Sequence, residues 1–296
     1  MTSTLTPPTM VLTGATSGIG RLAAIELARQ GAHIVFVARD ERKAEATRHA
    51  IVAAAPHTRV DVVLGDLAVL ADVARVAAEI AAAHERIDVL VNNAGIHAFD
   101  RRVTVDGLSE MVAVNYLAPW LLTNILRNRL VASAPCRVVT VASRASRQSG
   151  GLVPGVDLHD TTPFSRLGSS RVYGKTKLMN IMFSMELARR LDRTSVAVNC
   201  LCPGFNVTGL GRELGFASAL ERVLNWLKIG DPSRGAGIIV RLARDPEFGM
   251  RTGGYFSVND AAPLKPSAPG ADPAIQQELW ARTAELVAER LGLDFS

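Results

Sequence analysis

From residue 9 onward, short and nearly continuous apolar runs alternate with longer stretches whose apolar positions recur every three or four residues. "TMVLTG" (9–14) reads as a strand and "IGRLAAIELARQG" (19–31) as a helix stopped by Gly31. "AHIVFVAR" (32–39) and "RVDVVLGD" (59–66) are the next strands, separated by a charged amphipathic helix over 40–55. A helix over 70–85 leads to the strand "IDVLVNNAG" (87–95). Strand and helix in this rhythm predict parallel pairing with right-handed crossovers. Strands that are apolar throughout predict helices on both faces of the sheet.

The second half is less regular. A long helix is predicted over 108–131 with a kink at Pro119, then a strand "CRVVTVAS" (136–143). Residues 144–171, rich in glycine and serine, read as a loop over the sheet edge. A helix carrying "YGKTKLMN" (173–180), a strand "SVAVNCL" (195–201) and the breaker Pro203-Gly204 follow. Residues 207–228 read as helical but mobile; another helix starts after "DPS" (231–233), and a late strand is "GYFSV" (254–258). The last helix spans about 273–291. With no internal repeat and no low-complexity linker, residues 1–296 read as one α/β domain: a doubly wound parallel sheet of about seven strands. Within it, 1–8 is a flexible tail, 205–230 a substrate lid and 270–292 the C-terminal helix.

Composition narrows the class. Of 296 residues 48% are hydrophobic and 21% charged, which describes a soluble protein with a large core. A net charge of +5 with scattered arginines gives no support to nucleic-acid binding. Three cysteines without metal-ligand spacing fit core packing in a reducing, cytoplasmic setting. The first nine residues lack an apolar core and no run of about 20 apolar residues occurs, so neither a targeting signal nor a membrane anchor is expected.

Candidate chemistry gathers where strands end. Gly14, Ser17, Gly18, Ile19 and Gly20 form a glycine-rich turn between a strand and a helix, suited to a pyrophosphate. Arg39 closes the second strand where an acid would favour the unphosphorylated ribose; with Arg21, it suits a 2′-phosphate and hence NADP(H) over NAD(H). Asp40 reads as a helix cap. Asp66-Leu67 reads as an adenine-edge contact or a plain cap, and Asn92, Asn93, Ala94 and Gly95 as ligand-facing or turn residues. Tyr173 and Lys177, four apart, share a helix face, where an ammonium would lower the phenol's pKa.

"TGATSGIG", "NNAG", "VASRAS", "YGKTK" and "CPGFNVT" resemble, in order and spacing, the short-chain dehydrogenase/reductases. "VNYLAPWLLTNIL" and "TGGYFSVNDAAPLKPS" look most like their retinol-dehydrogenase-like branch. The resemblance implies a Rossmann-type fold and carbonyl/alcohol oxidoreduction, with Tyr173 as acid/base and Ser143 orienting the substrate oxygen. It makes Lys177 a nicotinamide-ribose ligand that lowers the tyrosine pKa, and Asn115 the support of a water-linked proton path. Asp66, Asn93 and Gly95 would lie along the adenosine side, and Pro203, Gly204 and Thr208 would wall the nicotinamide end. Arg21 departs from the lysine frequent in that branch. A small, largely apolar carbonyl or alcohol is the expected substrate. A homodimer through the helices of Asn115 and Tyr173 is possible, since both carry apolar outer positions. A redox-neutral biosynthetic enzyme and a non-catalytic nucleotide binder remain the alternatives.

Overall fold

Each of the seven apolar runs becomes a parallel strand. The structure, a computed structural model, describes residues 6–204 and 231–295. The strands are β1 (Thr9–Thr13), β2 (His33–Ala38), β3 (Val60–Leu64), β4 (Val89–Asn92), β5 (Cys136–Val141), β6 (Val196–Cys202) and β7 (Gly254–Ser257). Among the described residues they form one sheet in the order β3-β2-β1-β4-β5-β6-β7. The chain builds outward from β1 through β2 to β3, then returns to place β4 on β1's other side. That reversal leaves a crevice at the carboxyl ends of β1 and β4, where open α/β sheets bind ligands.

The strands' period of two divides the interior. Val11, Val35, Val37, Leu90, Val138 and Val198 belong to one core, which also takes Val73, Leu121 and Phe183. Met10, Leu12, Ile34, Phe36, Val91 and Val139 belong to the other, with Leu27 and Ile239. The helices that supply those residues therefore lie on opposite faces. α1 (Gly18–Arg29) and α8 (Pro232–Arg244) cover one; α3 (Leu70–Ala83), α5 (Ala118–Ala132) and α7 (Ser169–Arg190) cover the other. α2 (Glu41–Ala54) begins under Asp40, whose side chain accepts from Lys43 N at 2.9 Å, a cap that stabilises by about 1 kcal/mol. The C-terminal helix α9 spans Pro273–Leu291, as the periodicity predicts.

Two stretches depart from expectation. Residues 108–131 do not form one helix bent at Pro119: α4 (Glu110–Val112) passes into a π turn (Ala113–Leu117) and then into α5. Pro119 sits in the first turn of α5, where a missing N–H is tolerated, and the irregularity lies ahead of it. Residues 144–171 are not all loop, since they hold a 3₁₀ helix (Arg144–Gln148), α6 (Pro154–Asp157) and the first turn of α7.

α9 lies across the apolar outer positions of α5 and α7. Trp280 meets Trp120 at 5.3 Å and Phe183 at 6.0 Å between ring centroids, and the Tyr116 hydroxyl lies 2.7 Å from Thr283 Oγ1. No helix among the described residues is long and apolar enough to cross a membrane.

Candidate active site

The glycine turn leaves β1 with Gly14 at φ +67° and Gly18 at φ +54°, a region open mainly to glycine. Gly20 is held for a different reason: a Cβ there would stand 2.3 Å from Gly14 O. Ile19, partly buried, packs its side chain against the core. Ser17 precedes α1 but makes no side-chain cap, and no acid occupies the first turn. By contrast α2, α8 and α9 begin under Asp40, Asp231 and Asp272. The amino end of α1 thus keeps its positive pole for an outside anion, beside the exposed Arg21.

The end of β4 is stapled to this turn. Asn93 Nδ2 donates to Thr13 O and Gly14 O, each at 3.0 Å, while Asn93 N and Ala94 N donate to Thr13 Oγ1 at 3.1 and 3.0 Å. The Asn93 side chain therefore shapes the cradle from behind. Asn92 is buried, and its Nδ2 donates to Thr123 Oγ1. Gly95 sits close to the site, where a Cβ would come within 3.2 Å of Lys177 Nζ and 3.4 Å of Asn115 Oδ1. Asn115, fully buried in the π turn, accepts from Ile96 N at 2.7 Å and donates to Ile96 O and Thr176 Oγ1 at 2.9 and 3.0 Å. Its amide anchors the β4 loop against α7.

Ser143, Tyr173 and Lys177 converge. Ser143 follows β5 and caps the 3₁₀ helix, accepting from Ala145 N at 3.2 Å. Its hydroxyl lies near enough to the Tyr173 phenol on α7 to favour the phenolate. Lys177 Nζ lies 5.7 Å from the centroid of the Tyr173 ring and donates to Val141 O at 3.0 Å. Gly174 lets α7 reach this position, since a Cβ there would stand 2.5 Å from Ala145 O. The expected depression of the phenol's pKa is absent. Burial pushes Tyr173 up to about 12, against the opposing pull of the Ser143 hydroxyl. Burial also pushes the Lys177 ammonium down to about 8, so the cation meant to favour a phenolate is itself costly to keep charged.

His97 escaped sequence reasoning. Its ring stacks on that of Tyr173 at 4.7 Å and 14°, with Phe99 on it at 4.7 Å, and its Nε2 lies 3.1 Å from Ser169 Oγ. Burial lowers its pKa, which favours the neutral imidazole. A partner 76 residues away leaves no local signal; only its place two residues after "NNAG" pointed there. Thr13 and Thr176, which hold Asn93 and Asn115, were missed for the same reason.

The remaining candidates lie around this centre. Arg39 is exposed, with Nη1 3.8 Å from Asp66 Oδ2, and Asp66 Oδ1 accepts from Ala68 N at 3.0 Å. Leu67 packs against the core. Pro203 and Gly204 follow β6, with Gly204 at φ +75°. Thr208, and the lid expected over 205–230, lie outside the described residues. Cys136, Cys200 and Cys202 are free and buried, the last two packed in one apolar cluster with Tyr255.

A parallel sheet wound in two directions, with its cleft above the first strand and a glycine turn beneath it, is the architecture of the dinucleotide-binding α/β proteins. More closely, the chain belongs to the short-chain dehydrogenases, whose family model (short chain dehydrogenase) matches residues 8–154. It is similar to human retinol dehydrogenase 13, 36% identical over 291 residues that cover 96% of this chain and 86% of that protein. A Streptomyces protein provisionally named a daunorubicin C-13 ketoreductase is 36% identical over 283 residues, covering 95% and 93%. Among solved structures, one of a Beutenbergia cavernae protein provisionally assigned as an NAD(P)-dependent gluconate 5-dehydrogenase, with NADP bound, is 30% identical. It aligns with a TM-score of 0.64 over 85% of this chain and 94% of that one. The chain is an NAD(P)-dependent oxidoreductase that interconverts CH–OH and C=O groups.

Proposed function

We propose that this protein uses NADP(H) in preference to NAD(H) to interconvert a small, largely apolar carbonyl compound and its alcohol, with Tyr173 as acid/base. The observation that carries this reading is the meeting of Ser143, Tyr173 and Lys177 at the carboxyl ends of β5 and β6. The nicotinamide, when bound, supplies or accepts the hydride at the reacting carbon. In reduction the Ser143 hydroxyl orients the carbonyl oxygen, and Tyr173 gives that oxygen a proton as negative charge grows there. Lys177 supplies a positive charge behind the phenol from a site 3% exposed. His97 and Phe99 support an apolar substrate, since they wall the Tyr173 side with rings.

The cradle fits the cofactor by its own chemistry: an uncapped helix amino end, glycines that admit close approach, and two exposed arginines. Arg39 and Arg21, with uncharged Ala38 ending β2, support the phosphorylated form. Gly14, Gly18, Gly95, Pro203 and Gly204 would line the channel, with the Ile19 and Ala94 backbones. Three free, buried cysteines support a reducing, cytoplasmic setting. We read residues 1–296 as one domain. Part of the α5 and α7 faces considered for a homodimer packs against α9 through Trp120 and Phe183.

Cofactor oxidation against a panel of ketones and aldehydes tests the activity. Tyr173→Phe should lower kcat by about 10²–10⁴-fold while cofactor fluorescence still reports binding; an unchanged kcat would overturn the assignment. Arg39→Ala should raise KM for NADPH more than for NADH, and an equal change in both would remove the phosphate role.

A further inference from the structure

At the amino ends of the strands, opposite the Tyr173 cleft, three ligand-bearing side chains from separate elements meet. His33 opens β2, Asp61 lies in β3, and His84 is the C-cap of α3. His33 Nε2 lies 2.9 Å from Asp61 Oδ2, and His84 Nε2 lies 3.8 Å from the same oxygen. One nitrogen or oxygen from each residue falls within 4.8 Å of the others. The two imidazoles are 8% and 7% exposed and meet edge to face at 5.3 Å. Asp61, half-buried, is the member open to solvent.

We propose that His33, Asp61 and His84 form a binding site for a divalent ion of the zinc class. Two imidazole nitrogens and one carboxylate oxygen are the donors such ions take, leaving a fourth position for water. Bonds of about 2.0–2.1 Å in a tetrahedron set donor atoms roughly 3.3 Å apart, so small side-chain shifts close the set. Hydrogen bonding among these residues does not account for the third member, because His84 Nε2 stops beyond hydrogen-bond reach of the carboxylate. The carboxyl end of α3, at which His84 stands, adds the negative pole of a helix. Thr9 Oγ1, 3.5 Å from His33 Nδ1, stands behind one ligand. Entry of the ion replaces the His33–Asp61 hydrogen bond, and His33, ligating through Nε2 as a neutral imidazole, then carries its one N–H on Nδ1, the nitrogen that faces Thr9 Oγ1. Among the described residues Arg59 opposes the ion: its Nη2 lies 2.9 Å from Asp61 Oδ2 and its Nε donates to Oδ1 at 3.2 Å, on a side chain that is otherwise exposed.

That opposition supplies the test. The full-length protein, freed of metal with a chelator, is titrated with Co²⁺ followed by absorption and with Zn²⁺ by calorimetry. One equivalent should bind with the visible absorption of tetrahedral Co²⁺. His84→Ala should weaken binding at least tenfold, whereas His49→Ala, on the surface of α2, should leave it unchanged. Arg59→Gln, at an exposed position that does not threaten folding, should tighten binding severalfold. Absence of binding by the wild type, unchanged affinity in folded His84→Ala, or weaker binding by Arg59→Gln would each overturn the site.

Discussion

A lysine 3% exposed to solvent is rare enough that its charge state becomes a functional variable. Burial lowers the Lys177 pKa from 10.5 to about 8, so its ammonium is complete well below pH 8 and is lost as pH rises through that value. Tyr173, raised to about 12 by burial, stays a proton donor across the same range. The two shifts separate the contributions. In the direction of reduction, kcat/KM for NADPH should therefore fall above about pH 8, because Lys177 is discharged while the phenol still holds its proton. Lys177→Arg keeps its charge at every accessible pH and should flatten that fall, even at a lower maximum rate. A fall at the same pH in the variant would assign the titration to another group.

At the scale of elements, catalytic placement depends on how closely α7 packs on the 3₁₀ helix Arg144–Gln148, and Gly174 sets that distance. Gly174→Ala would drive a methyl to within 2.5 Å of a backbone oxygen that cannot swing away. Overpacking of this kind costs about 1–3 kcal/mol, and here it also shifts Tyr173 from Ser143. Chemical denaturation should show that loss, with kcat down at least tenfold; an unchanged kcat would mean α7 is not positioned by this contact. What the sequence disclosed follows from the same physics. Strands buried on both faces read as unbroken apolar runs, and α2 and α9 announce their starts with Asp40 and Asp272. The π turn gave no such signal, because Asn115 is held by Ile96 and Thr176, bonds made only after folding. Tyr173, Lys177 and Ser143 were legible through ordered motifs, whereas the burial that reverses the expected phenol shift is a tertiary property. Single-turn pieces such as α6 are shorter than the periodicity needed to see them.

Across the whole molecule, α9 decides which surface faces water. Trp280, 2% exposed, closes over Trp120 and Phe183, and Arg190 stacks on its ring at 4.4 Å. Arg189 Nη2 donates to Gln276 Oε1 at 2.5 Å, and the Tyr116 hydroxyl is paired with Thr283. The outer positions of α5 and α7 around Trp120 and Phe183 are thus sealed by α9. Replacing Trp280 with alanine removes the largest side chain of that seal and should destabilise the fold by about 3–5 kcal/mol, read as a lower denaturation midpoint. Because the seal also fixes the helix behind Tyr173, activity should fall along with stability. Cutting the chain before Pro273 goes further, since it bares Trp120 and Phe183 as a contiguous apolar patch. Exposed patches of this kind drive association, so light scattering should show the truncated protein self-associating to a larger species than the intact chain. If both forms had the same mass in solution, α9 would not be what covers this face.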